Sequence, residues 1–182
     1  MELFCYLLQQ PHLICLETIK KEEKNLKKQC EDFVKKIRSK YNLKGAEIKV
    51  TIEHLPNFSM VAKRVGNRKY KIILNYIRLK TASTKEISGA IAHELIHFEQ
   101  FEKRNFLERW IHKVLYHISR KYRAKIERTT DIETIKKGFG KELLSSTLRF
   151  ERLSTPEYLK MHKWIYLSSK EIKNEMKKLR QT

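Results

Sequence analysis

The chain is short of the residues that punctuate and cross-link a fold. Its 182 residues include 5 Gly and 3 Pro, too few for the many tight turns of an all-β sandwich or for a linker-rich array. Cysteine is equally sparse. Cys5, Cys15 and Cys30 are odd in number and form no CxxC pair, which excludes a disulfide framework and a thiolate zinc site. They read as small buried hydrophobes in a reducing compartment. No apolar run approaches the ~18 residues that span a bilayer. The opening stretch MELFCYLLQQPHLICLE is apolar, yet it carries Glu2, has no Lys or Arg ahead of its apolar residues, and is interrupted by Gln9, Gln10 and Pro11. It is expected to dock on the core, not to act as a signal peptide, and a cytoplasmic location follows as the expectation.

Acidic residues are scarce as well. The 40 Lys+Arg outnumber the 21 Asp+Glu and leave a formal charge of +19, with a pI near 9.9. A surplus of this size confers weak, non-specific affinity for polyanions. A dedicated nucleic-acid site would concentrate it on one element, and here it is spread over Lys20 to Lys40, 103–128 and Lys160 to Arg180. No RNP-like aromatic motif or finger spacing accompanies it, so most of the charge reads as solvated helix face. What the chain does have is 41% apolar residues, enough for one domain with a sizeable core.

Periodicity sets the expected order of elements. Ile19, Leu26, Cys30, Phe33, Val34 and Ile37 recur at helical spacing over 18–41, and Lys44-Gly45 closes that helix. AEIKVTIE (46–53), FSMVAKRV (58–65) and RKYKIILNYI (68–77) read as strands, the last two joined by a hairpin at Gly66-Asn67. Ser83-x-x-Glu86 is a capping box that starts a helix running to about residue 101. A second helix, about 105–119, carries a full amphipathic stripe of Leu107, Trp110, Ile111, Val114, Leu115 and Ile118. That stripe is expected to face the core, with a membrane-surface contact as the alternative, while His112 and Tyr116 on the opposite side are expected to be solvated. A third helix should reach about Lys137 and stop at Gly138. Thr155-Pro156-Glu157 and Ser168-x-x-Glu171 open two short helices. The sum is an α+β chain: an N-terminal helix, a small mostly antiparallel sheet, then helices. It forms a single domain over 1–182, with an N-terminal helical segment (1–45), a core (46–140) and a C-terminal helical segment (141–182).

The chemistry is concentrated in GAIAHELIHFEQ, whose centre is His93-Glu94-Leu95-Ile96-His97. Residues four apart on a helix differ by about 40° in direction, so His93 and His97 project side by side and can share one Zn²⁺. Glu94 is turned by about 100° from His93, beside the ion, where it can hold and deprotonate a water. Ile87, Ile91, Leu95 and Phe98 form a separate apolar stripe that can anchor the helix. A stricter form of HExxH has Val or Thr where this chain has Ala90 and an apolar residue where it has Glu99, so two positions depart. A catalytic zinc needs a third protein ligand and an open position. A metzincin would carry glycine at position 100 and histidine at 103, where this chain has Gln100 and Lys103. The best third ligand lies in Glu127-Arg128-Thr129-Thr130-Asp131. Glu127 could bind the ion, and Asp131, on the same face, could accept the remaining ring N–H of a zinc histidine. Glu133 is the nearest rival, turned about 160° away from that face.

With HExxH followed by ExxxD, the chain resembles the gluzincin metallopeptidases and is most similar to the soluble archaeal minigluzincins, over roughly residues 46–140. The resemblance implies a zincin-like fold with an active-site helix and a glutamate helix, and zinc-dependent hydrolysis of a peptide or protein substrate. His93, His97 and Glu127 would be the ligands, Glu94 the general base and Asp131 the partner of a ligand histidine. It further implies that the strand near 70–77 binds the substrate backbone, and it raises the prospect of latency imposed by the C-terminal segment. The oxyanion-stabilising residue stays open among Tyr116, His117, Tyr158, His162 and Tyr166. Two other readings remain: an inactive zinc-binding peptidase-like domain, and a basic nucleic-acid-associated protein.

Overall fold

The structure, a computed structural model, describes residues 3–55 and 59–181, with side chains described from Glu17 onward. Helix α1 (Leu3–Ile37) begins well before the predicted start and includes Pro11. The docking of its first turns, with Cys5 and Cys15, lies outside the described residues. Farther along, Leu26, Cys30, Val34 and Ile37 are buried at three- and four-residue spacing. Burial, helped by the charge of Glu31, pushes the Cys30 thiol up to about 12, so it stays protonated and behaves as a hydrophobe. The helix stops at Ile37, short of the predicted 41, and gives way to a tight turn over Arg38–Lys40. Tyr41 then folds back under the core and its hydroxyl donates to the carbonyl of Ala92 at 3.1 Å.

Three strands follow: β1 (Glu47–Ile52), β2 (Met60–Gly66) and β3 (Lys69–Leu74). Their order is β1-β3-β2. β3 pairs antiparallel with β2, Ala62 opposite Ile72, and parallel with β1, Val50 opposite Ile72. The sheet is therefore mixed, not mostly antiparallel. The reason lies in β3 itself: Tyr70, Ile72 and Leu74 are buried on one face and Ile73 on the other. A strand that is apolar on both faces belongs in the middle, whereas β2, with Lys63 and Arg64 exposed, suits an edge. β3 also ends earlier than predicted. Asn75 caps the short helix α2 (Tyr76–Leu79), its side chain accepting from the Arg78 N–H and donating to the Leu55 carbonyl at 2.6 Å.

Helix α3 (Thr84–Lys103) starts at the predicted capping box, with Ser83 and Glu86 exchanging both bonds. Ile87, Ile91, Leu95 and Phe98 are all buried, and Phe98 stacks on Tyr70 with ring centroids 4.3 Å apart. Helices α4 (Phe106–Ile118), α5 (Arg120–Thr134), α6 (Gly140–Leu153), α7 (Pro156–Ile165) and α8 (Ser169–Lys178) complete the chain. α5 ends at Thr134 and passes through a widened turn, Ile135–Phe139, in which Gly138 takes φ 90°. Only glycine adopts that conformation freely. α6 falls in the expected C-terminal helical segment, which was not divided at this point. It packs so closely on α3 that a Cβ on Gly89 would lie 2.2 Å from the Glu142 carbonyl oxygen.

The expectation for α4 is reversed. Leu107, Trp110 and Ile118 are 63%, 61% and 73% exposed, while His112 is only 7% exposed. The apolar stripe faces outward and the polar side faces in. What α4 covers is a buried carboxylate on α5, which needs hydrogen-bond donors more than it needs methyl groups.

Candidate metal centre

α3 and α5 lie against each other through small and polar side chains. Thr130 and Thr134 are fully buried, and their hydroxyls are used within the helix, donating to the carbonyls of Ile126 at 2.9 Å and Thr130 at 2.8 Å. Gln100 of α3 donates to Thr130 Oγ1 at 3.1 Å and to Glu133 Oε2 at 3.3 Å. This contact sets Glu127 and Asp131 opposite His93 and His97, while Glu133 stays outside with Gln100.

The three expected ligands converge. Nε2 of His93 is 3.1 Å from Glu127 Oε2, Nε2 of His97 is 3.3 Å from that same oxygen, and the two Nε2 atoms are 3.2 Å apart. Bonds of 2.0–2.1 Å at tetrahedral angles would separate two ligand atoms by about 3.3 Å, so the triangle already has the size of three corners of a tetrahedron. The chemistry of the donor set fits as well. Asp131 Oδ1 accepts from His93 Nδ1 at 2.9 Å, which leaves the lone pair of the neutral ring on Nε2. That lone pair points at a carboxylate oxygen and at a second imidazole, an arrangement that needs a shared cation. Without a metal ion, a proton fills the need. Burial would push the His93 pKa down, but its hydrogen bonds to Asp131 and Glu127 hold it well above its ordinary value. Burial would likewise raise Glu127, and the facing histidines hold it well below the carboxylate range. The buried His93–His97–Glu127 group could hold a metal ion.

Glu94 lies beside this triangle. Burial raises its pKa, against the pull of His97 and His93 and a hydrogen bond from the Ala62 N–H of β2. It lines a cleft of about 710 Å³ together with His93, and the far walls include Met60, Phe150 and Ile165. The remaining oxygen of Glu127 accepts from the Tyr116 hydroxyl of α4. Burial, reinforced by the Glu127 charge, raises the Tyr116 pKa and keeps the hydroxyl a donor. The Arg123 guanidinium lies 5.3 Å from the Tyr116 ring and lines the cleft together with Tyr166. Tyr166, whose pKa is raised by burial, sits 6.0 Å from the His93 ring, ring centre to ring centre. His162 stacks on Tyr166 at 4.4 Å, and the next backbone N–H, of Leu167, donates to Asp131 Oδ2 at 2.9 Å.

His93, Glu94, His97, Glu127 and Asp131 are thus assembled in one place. Of the residues left open for an oxyanion, Tyr158, His162 and Tyr166 line the cleft, whereas His117 is exposed. Tyr116, expected in solvent, is instead part of the centre, and Arg123 was not foreseen at all. The signal for Tyr116 was present in the sequence: it shares a face with His112, and two large polar aromatics opposite an apolar stripe can mark a buried polar face. The strand near 70–77 cannot pair with a substrate, because β3 is hydrogen-bonded on both edges. No protein-family model, curated protein or solved structure matches the chain.

Proposed function

We propose that the chain is a zinc-dependent peptide hydrolase of the gluzincin type. The observation that carries this reading is the triangle of His93, His97 and Glu127, of tetrahedral dimensions, with the buried carboxylate of Glu94 beside it at the edge of a cleft. Zinc is the metal that two imidazoles, one carboxylate and an open position suit best. Held there, it would supply Lewis acidity to a scissile carbonyl and to water.

The chain's own residues do the rest. Glu94 takes a proton from the attacking water and returns it to the leaving amine, and its raised pKa suits both tasks. Asp131 fixes the His93 ring so that Nε2 faces the ion. Tyr116 orients Glu127. Arg123 and Tyr166, both lining the cleft, are the donors placed to meet a developing oxyanion. β2, the edge strand whose Ala62 reaches Glu94, takes the backbone-pairing role that β3 cannot. Residues of α7 form one wall of the cleft, which supports the expectation that the C-terminal segment restrains activity.

The test is zinc content and hydrolysis of a quenched-fluorescent peptide library by the purified chain and by Glu94→Gln. The proposal expects about one zinc per chain in both and hydrolysis in the wild type alone. Equal hydrolysis by both removes Glu94 from the mechanism. Zinc without hydrolysis in either favours the inactive zinc-binding reading.

A further inference from the structure

We propose that the outward face of α4 docks on an anionic lipid bilayer. The proposal goes beyond peptide hydrolysis and does not depend on it. Phe106, Leu107, Trp110, Ile111 and Ile118 are 84%, 63%, 61%, 42% and 73% exposed, and Val114 lies among them at the surface. All fall within one arc of the helix, with Lys113 and Arg109 about 60° and 100° from Trp110 along its rim. A soluble surface scatters its large apolar side chains, and a contiguous stripe marks a contact.

Charge selects the occupant. Between Glu108 and Glu127 the chain has, apart from Arg123 at the cleft, Arg109, Lys113, Arg120, Lys121 and Lys125 and no acidic residue. The Glu108 carboxylate is committed to the helix start, accepting from the Asn105 N–H at 2.9 Å. Arg120 lies 5.6 Å over the ring of Trp164, itself 49% exposed, so the apolar and basic surface continues onto α7. A second copy would press one basic rim against another within a pair of +19 chains. A nucleic acid would meet mostly aliphatic side chains, which neither stack on bases nor bond phosphates. A bilayer satisfies both halves of the surface. The aliphatic groups enter the acyl boundary, the tryptophans sit at the headgroup level, and the cations reach lipid phosphates and carboxylates. At 1.5 Å per residue, the 13 residues of α4 give about 20 Å of helix lying flat on the surface.

The experiment is flotation of the full chain with vesicles of phosphatidylcholine containing about one-third phosphatidylserine, and with pure phosphatidylcholine. The wild type should float with the anionic vesicles and much less with the neutral ones. The double variant Trp110→Glu/Ile118→Glu should lose at least about tenfold in partitioning while keeping its circular dichroism and metal binding. The control Lys173→Gln/Lys177→Gln on α8, which lowers the net charge equally at exposed positions, should stay within about twofold. If the acidic pair fails to fold, Trp110→Ser/Ile118→Ser takes its place. Since the chain has two tryptophans, Trp164→Phe leaves Trp110 as sole reporter, and its emission should shift to the blue only with anionic vesicles. The proposal is overturned if the wild type does not float, if the α4 variant floats as well as the control, or if the α4 substitutions instead turn a dimer into a monomer or abolish RNA binding.

Discussion

The Asp131 carboxylate is the most exacting place to perturb the centre. One oxygen accepts from His93 Nδ1 and the other from the Leu167 N–H, each at 2.9 Å, and the residue is 3% exposed. Asparagine at this position keeps one acceptor and turns the other into a donor. In the metal-free protein it can choose which partner to serve: bonded to Leu167 through its oxygen, it lets His93 give up its Nδ1 proton and keep the one on Nε2 that faces Glu127. The metal-loaded protein has no such choice, because Nε2 must be free. The amide oxygen must then serve His93, and its NH₂ confronts the Leu167 N–H in a buried site. Such an unmet donor costs about 1–3 kcal/mol, and this cost falls on the loaded state alone. Zinc affinity of Asp131→Asn should therefore drop by about 10- to 100-fold, as substitutions behind a metal ligand generally do, equivalent to about 1.4–2.7 kcal/mol. Competition with a fluorescent chelator at fixed pH and salt measures it. Glu133→Gln, which disturbs only the contact with Gln100, is the control and should stay within about twofold. An Asp131→Asn affinity indistinguishable from wild type would refute the tautomer argument and remove Asp131 from the centre.

Other expectations follow from the same geometry. Glu94→Gln should lower kcat on any peptide the wild type cleaves by at least about a hundredfold, the range of a lost general base, with zinc content unchanged by metal analysis. Gly89→Ala forces a Cβ to within 2.2 Å of the Glu142 oxygen; overpacking of this kind costs about 1–3 kcal/mol, and a thermal melt should show a Tm at least about 2–4 °C lower. His162 is held neutral first by burial, its pKa lowered from 6.5 to about 4, between the rings of Phe150 and Tyr166 at 3.8 and 4.4 Å. The unfolded chain takes up this proton near pH 6.5 and the folded chain only near 4, so its share of stability is complete above 6.5 and is lost as the pH falls through that interval. Urea unfolding of chelator-treated His162→Phe should accordingly lose up to about 1.4 kcal/mol per pH unit of acid sensitivity between those values. Identical slopes for variant and wild type would contradict a neutral buried His162.

Much of this site could be read from the chain because its parts are local. His93 and His97 are one helical turn apart, as are Glu127 and Asp131, and helical spacing alone puts each pair on one face. Caps are local too, and Ser83, Thr155 and Ser168 each start a helix where the sequence placed them. What failed depended on neighbours. The sheet order was decided by Ile73, an apolar residue on the second face of β3, and strand alternation cannot say what lies on either side. α4 turned over because its inner neighbour is a carboxylate: periodicity finds the apolar face of a helix and not whether the core is on that side. α6 was expected only as an unbounded part of the C-terminal helical segment, because no side-chain cap marks its start: Phe139 stands at its N-cap. Tyr166 and Arg123 reach the centre from different elements, α7's end and α5, and nothing in their spacing from the histidines marks them.

The contact at Gly89 bears on how the cleft can move. Backbone meets backbone there, one helical turn before His93, and Tyr41 holds the Ala92 carbonyl. A helix clamped in this way can neither slide along its axis nor roll, and the imidazoles ride on it as on a fixed anvil. Any widening of the cleft to admit a bulky chain therefore falls to the wall carrying His162 and Tyr166. Asp131 reaches that wall through Leu167, so each such opening would tug on the support of the His93 ring.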